Sequence, residues 1–240
     1  MSKVKILYYE GLGEIQVTQN IRARRFIFRV RNNQLQMTAP KYSSEKEMIE
    51  AIGKMFDKLK GLLDKAQEPI IDLDFKIESH YFKFSIVEGK DDKFLACSEL
   101  GELVVIAPPN TNFHDDALQA WLKKVIIEAL RRNAKIILPP KLYMLSNKYS
   151  IPYNKLSINT SVGRWGSCSS KQNINLSAYL MLLPEHLIDY VLLHELTHIN
   201  EMNHSDKFWS RLDMLTDGQA KALDKELKNY TTSVFPSKQN

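Results

Sequence analysis

Between Pro184 and Trp209 the chain reads His194-Glu195-Leu196-Thr197-His198, with a further histidine, His204, six residues on. Residues four apart on an α-helix lie one above the other on the same face. A helix here would therefore present two imidazoles as adjacent corners of a tetrahedral metal site. Glu195 falls one step round the helix, too far over to be an equal ligand but close to the open coordination position. From there a carboxylate can take the proton of a zinc-activated water as that water attacks a carbonyl. His204 follows Asn200–Asn203, poor residues for a helix interior, so the chain can turn there and bring back a third imidazole. Three of the six histidines thus fall at ligand spacing within one short segment. The pattern predicts one Zn2+ ion held by His194, His198 and His204, with Glu195 as general base. Three protein ligands leave a position open for reaction, whereas structural zinc sites are usually closed by four. A helix that carried these histidines only by accident would also have to bury Glu195, which is costly for an unpaired charge.

The surrounding residues support a helix. Pro184 suits the first turn, and Glu185 and Asp189 put negative charge near the positive helix end. Leu187, Ile188, Val191 and Leu192 form an apolar stripe, and no glycine or proline interrupts His186 to His198. Ser205 can cap the next helix, which would pack Phe208, Trp209 and Leu212 beneath the site. His186, near the helix start, reads as an exposed residue; His80 and His114 have no partners at metal spacing. Tyr190 lies one turn before His194 and is either a core residue or a hydrogen-bond donor near the metal. Upstream, Gly163 and Gly166 permit tight backbone geometry beside Trp165. Arg164 can hold a substrate carboxylate or phosphate, stabilise an oxyanion, or clamp an aspartate such as Asp189. Cys168 reads as a small packed residue or a reactive thiol. Asn173, Asn175 and Ser177 alternate with Ile174 and Leu176, a strand pattern. If this strand is the edge above the metal, an extended peptide could pair with it. Arg164, Asn173 and Asn175 are accordingly the candidate substrate-binding residues.

RWGSCSSKQNINLS (164–177) followed by LLPEHLIDYVLLHELTHINEMNHSDKFW (182–209) resembles the YgjP-like, or WLM-type, zinc metallopeptidases. IRARRFIFRVRNNQLQMTAPKYSSEKEM (21–48) is similar to that family's opening hairpin and helix, and about 65–110 matches weakly. The resemblance implies a zincin-like catalytic domain, with helices backed by a small sheet and the metal beneath an edge strand. It carries the ligand roles onto His194, His198 and His204 and the base onto Glu195. Peptide-bond hydrolysis, with a peptide or protein substrate, is what it adds. Two other readings stay open on the residues: a metal-dependent hydrolase of a nucleotide or other phosphate anhydride or ester, and a binding module with a structural metal.

Composition bounds these readings. The 240 residues are 44% hydrophobic and 25% charged, the balance of an ordinary globular protein. No run of about 18 apolar residues exists, so no membrane span is expected. The N-terminus carries charge and tyrosine where a secretory signal needs an apolar core, and the cytoplasm is the expected compartment. With only Cys97 and Cys168 there is no disulfide framework and no thiolate metal cage. Residues 1–60 hold 12 Lys/Arg against 6 Asp/Glu, and five arginines crowd Arg22–Arg31. That basic hairpin could take a phosphate-bearing ligand, or simply be a solvated face that protects a sheet edge.

The elements that must position the site follow from periodicity. Lys3–Tyr9 and Glu14–Thr18 read as strands around a Gly11/Gly13 turn. Phe26, Phe28 and Val30 alternate with Ile27, Arg29 and Arg31, and Asn32-Asn33 turns the chain into Gln34–Thr38. Ser43 or Ser44 caps an expected helix over 45–63, with Met48, Ile52, Met55, Phe56, Leu59 and Leu63 facing inward. Strands are expected at 70–76, 80–87, 93–97 and 101–106. Asp115 or Asp116 starts a helix to about Asn133, and a second short helix is expected from Pro139-Pro140. Residues 153–161 read as extended, 163–170 as a loop, and helices are expected at 184–200, 205–216 and 217–230. The tail after Phe235 reads as mobile, and no internal repeat is visible. The expected fold is α+β: a strand-rich region with one helix over 1–110, and the zincin-like catalytic domain over 111–240.

Overall fold

The computed structural model describes residues 4–31, 34–66 and 69–234. The Asn32-Asn33 turn and the tail after Phe235 lie outside them. Contacts divide the chain into two units, 1–69 together with 235–240, and 70–234. The division falls at Pro69, not near residue 110, because the sheet formed by residues 77–107 belongs with the second unit.

In the first unit, β1 (Val4–Tyr9), β2 (Gly13–Asn20), β3 (Ile27–Arg31) and β4 (Gln34–Pro40) form one sheet in the order β1-β2-β4-β3. Two antiparallel hairpins are joined through a parallel β2–β4 pair, Ile15 opposite Leu35. Alternation decides which face is buried: Ile15, Val17, Leu35 and Met37 point inward, with Phe28 and Val30 packed against them. Ser44 caps α1 (Glu45–Lys54) through a full capping box with Glu47. The single helix expected over 45–63 is two, α1 and α2 (Phe56–Ala66), broken at Met55. Gly53, a weak helix former, precedes the break. Met48, Ile52 and Leu59 still face the core.

The second unit opens without the strand expected over 70–76. There Asp72 Oδ1 accepts from the amides of Asp74 and Phe75, an Asx turn that outcompetes extension. β5 (Ile77–Glu78), β6 (Lys83–Glu88), β7 (Leu95–Glu99) and β8 (Glu102–Ala107) then repeat the plan of the first sheet. Their order is β5-β6-β8-β7, again two antiparallel pairs joined by a parallel central one.

The Asp115 side chain caps α3, which runs unbroken from Asp116 to Tyr149 through Pro139 and Pro140. Sequence reading divides this stretch in two, because an interior proline removes a helical hydrogen bond. Packing overrides that local signal. Every fourth residue from Leu122 to Ser146 is buried, a stripe that passes straight across the prolines. The carbonyls the prolines leave free, on Lys135 and Ile136, belong to exposed residues that water can satisfy.

β9 (Lys155–Asn159), β10 (Gly166–Cys168) and β11 (Asn173–Ser177) form a third sheet in the order β10-β11-β9. A 3-10 turn, Ala178–Leu182, leads from β11 towards α4 (Glu185–Thr197), α5 (Asp206–Leu215) and α6 (Ala220–Leu227). The fold is α+β. Among the described residues no helix is long and apolar enough to cross a membrane.

Candidate metal centre

Helix α4 is buried almost all round, with Leu187, Ile188, Tyr190, Val191, Leu192, Leu193 and Leu196 all inside, as befits a helix apolar on every side. It touches α3, β10, α5 and α6. Its N-terminal end is held by Lys141 of α3, whose Nζ lies 2.7 Å from Glu185 Oε1 and 3.1 Å from Asp189 Oδ1. The Tyr81 hydroxyl also donates to Glu185, at 2.6 Å. Asp189 is therefore clamped by Lys141 and not by Arg164, which is exposed and makes no ion pair or hydrogen bond among the described residues. His186 is exposed, as expected, and its Nε2 sits 2.8 Å from Glu226 of α6.

The last turn of α4 delivers the cluster. His194 Nε2 lies 3.1 Å from His198 Nε2 and 3.1 Å from His204 Nε2. Helix α4 ends with His198 as its C-cap, and the turn over 199–205 swings His204 back onto the two helical imidazoles. His198 Nδ1 donates to the Glu201 carbonyl at 3.0 Å, which leaves its Nε2 as a bare lone pair pointing into the cluster. Phe208, fully buried on α5, floors the site. Its ring centre is 4.9, 4.6 and 4.7 Å from those of His194, His198 and His204. Burial, reinforced by the other two imidazoles, pushes His194 down to about 3, and burial also lowers His198. Both imidazoles are therefore neutral at physiological pH. Three nitrogen atoms converging within 4.8 Å of one another could hold a metal ion. Neutral imidazoles cannot all donate to one another here, so their shared lone pairs suit a cation.

Glu195 lies beside this cluster with only 4% of its surface exposed, and its Oε2 has no protein partner. Burial pushes its carboxyl up to about 8; a cation on the imidazoles would draw it back down. An orphaned buried carboxylate next to three convergent imidazoles is the fit expected for a bound metal and its water. Tyr190 is 1% exposed and stacks edge-on against His194 at 6.0 Å. Burial, with Asp224 nearby, raises its hydroxyl pKa, so it is a core tyrosine bordering the site. Cys168 is half-buried, and burial, helped by the Glu195 charge, raises its thiol pKa, the opposite of what a reactive thiol needs.

The strand expected to be the edge is not. β11 lies in the middle of its sheet and β10 is the edge beside α4. Register also decides which residues face the helix. Gly166 pairs with Leu176 and packs on Glu195, so Leu176 and Ile174 share that face. Asn175, opposite Ser167, and Asn173 point to the other face, and Asn175 Oδ1 accepts from Ser157 Oγ at 3.1 Å. The two asparagines are turned away from the imidazoles, because a strand's side-chain period is two and its neighbours are set by topology. Sequence reading did not find the Glu201 carbonyl, the Lys141 clamp or the contact of Gly166 with Glu195. Backbone groups and long-range partners carry no signal in a linear motif.

The family described as YgjP-like, metallopeptidase domain, matches residues 24–230. No curated protein sequence matches the chain. Among solved structures the chain is similar to the metallopeptidase zymogen of Pyrococcus abyssi abylysin. Identity is 22%, covering 39% of this chain and 94% of that one, with a TM-score of 0.35.

Proposed function

This chain belongs to the YgjP-like metallopeptidase family, a family of metal-dependent peptidases, and on that premise we propose that it is a zinc peptidase with Glu195 as general base. His194, His198 and His204 would hold one Zn2+, with their Nε2 atoms the ones that converge. The observation that carries this reading is the 3.1 Å approach of His194 Nε2 to both other Nε2 atoms, beside a buried carboxylate without a partner. Three imidazoles with one open position are a ligand set that zinc favours in catalytic sites. When bound, the ion supplies Lewis-acid polarisation and makes water acidic enough to react near neutral pH.

The chain's own residues do the rest. Glu195 accepts a proton from the attacking water and later delivers it to the leaving amine nitrogen, so that the amide bond breaks without releasing a free amide anion. The Glu201 carbonyl fixes the His198 tautomer, and Phe208 fixes the planes of all three rings. Arg164, exposed just before β10 and free of internal partners among the described residues, is available to a substrate carboxylate. Hydrolysis of a phosphate ester or anhydride has less to support it. Arg22, Arg24, Arg25 and Arg29, the side chains that motivate it, are exposed on the first unit.

The test is metal analysis and turnover of an internally quenched peptide pool, for the wild type and for Glu195→Gln. One zinc per chain in both proteins is expected, with hydrolysis lower by about a hundredfold or more in the variant. Undiminished hydrolysis by Glu195→Gln would refute the assigned base.

A further inference from the structure

We infer that Gly166 is a positioning residue for Glu195: the edge strand leaves one place without a side chain, and the carboxylate occupies it. The inference deepens the zinc-peptidase reading above and rests on it. A Cβ built on Gly166 would lie 2.6 Å from Glu195 Oε1 and 2.8 Å from both Cδ and Cγ. No real Cβ sits that close to three atoms of one side chain. Glycine is often kept for a left-handed backbone, but Gly166 is not among the residues with positive φ. Gly163, three residues earlier, is the contrast. Its φ is 97° and a Cβ there would meet nothing within 4 Å. Gly163 answers a conformational need and Gly166 a steric one.

The strand cannot easily retreat to make room. Gly166 is paired with Leu176 of β11, and the Ser177 amide donates to the Trp165 carbonyl at 2.8 Å. β11 is in turn paired along its length with β9. Nor can the helix, whose buried side chains are packed on several neighbours. An added methyl must therefore displace the one movable part, the Glu195 side chain. Gly166 thus forms a wall against Cγ, Cδ and Oε1, while Oε2 is buried without a protein partner. The wall selects the rotamer that acts as base, and any side chain there selects another.

The experiment pairs Gly166→Ala with Glu195→Gln and Glu195→Ala in the full chain, assayed on one internally quenched peptide. Gly166→Ala is expected to retain one zinc and to lower kcat by about ten- to a hundredfold with KM nearly unchanged, since a displaced base forfeits much of a general base's contribution. In the Glu195→Gln background the same substitution should lower the residual kcat by less than about twofold, because the group it acts through is already lost. If Gly166→Ala is too unstable to assay, thermal unfolding decides. The substitution should lower Tm in the wild type but not in Glu195→Ala, where the clashing atoms are gone. Wild-type kcat in Gly166→Ala, or an equal fall in Tm in both backgrounds, overturns the inference. Full activity of Glu195→Gln would instead overturn the underlying choice of base, so the two failures are distinguishable.

Discussion

Phe208 is the side chain whose replacement best separates packing from metal binding. It is fully buried, and its ring meets His204 and His194 edge-on and His198 at a 31° tilt, with centres 4.6–4.9 Å apart. Phe208→Leu keeps most of the buried apolar volume, so the volume change alone should cost the metal-free protein only about 1–1.5 kcal/mol of stability. The ring contacts are a separate matter. Each is worth about 0.5–1.5 kcal/mol beyond burial, and together they hold three imidazole planes in the orientation that makes the Nε2 atoms converge. Much of that energy is present in the metal-free chain and cancels from the affinity. The part that does not cancel is the ordering a metal must now impose, and losing about 1.4 kcal/mol of it weakens binding tenfold. Competition against a chromophoric chelator measures the zinc affinity, and urea unfolding of the metal-free protein measures the packing. The expected result is a roughly tenfold loss of affinity beside a stability loss of about 2–4 kcal/mol, the volume change and the ring contacts together. Affinity unchanged within about twofold would show that Phe208 merely fills space, and the reasoning about ring planes would fail.

Two further outcomes follow from the ion-pair and capping geometry. Hydrogen bonds from Lys141 and then Tyr81 hold the Glu185 carboxyl down at about 2, against an ordinary value of 4.5. A depressed folded pKa means that the stabilisation is complete above about pH 4.5 and is lost as pH falls towards 2. Because Glu185 is half-exposed, it contributes no more than about 1 kcal/mol. The stability difference between wild type and Glu185→Gln in urea should therefore shrink between pH 5 and pH 2.5; a constant difference would contradict the pairing. In the first unit, Ser44→Ala removes the acceptor for the Glu47 amide and half of the capping box. It should cost about 1 kcal/mol, seen as several-fold faster hydrogen exchange at Glu47 and Met48 with α4 unaffected.

The reach of sequence reading tracks how local each determinant is. The α4 helix, its paired histidines and the Ser44 and Asp115 caps depend on residues within a turn or two of one another, and they stand where spacing put them. The break at Met55 and the unbroken passage of α3 through Pro139 and Pro140 do not. The first leaves Met48, Ile52 and Leu59 on one shared core, and the second carries the apolar stripe from Leu122 to Ser146 across the prolines. Asp72 turned an apolar stretch into an Asx turn by a side-chain bond that a hydropathy pattern ignores. The strand Asn173–Ser177 was visible as a strand, but its central position was not, because strand order is a property of topology. For the same reason Gly166 read only as a residue permitting tight backbone geometry beside a tryptophan, while its neighbour in space is Glu195, 29 residues away in the chain.

The twofold use of one sheet plan bears on how this peptidase comes into being. Each of the two four-stranded sheets is closed by hairpins and one parallel pair, Ile15 with Leu35 and Phe84 with Leu103. Among the described residues each strand pairs only with the next strand or the next but one, and such local pairing favours early formation of each sheet. During synthesis the first sheet is complete once Pro40 has emerged and the second once Ala107 has. The strands that border Glu195 come next, and the three histidines come after everything that buries them except α5 and α6. A ribosome-bound fragment can thus hold ordered sheets and still have no hydrolytic centre. Peptide-cleaving capacity arrives only with α4 and the turn that follows it, after the strands of both four-stranded sheets have been made.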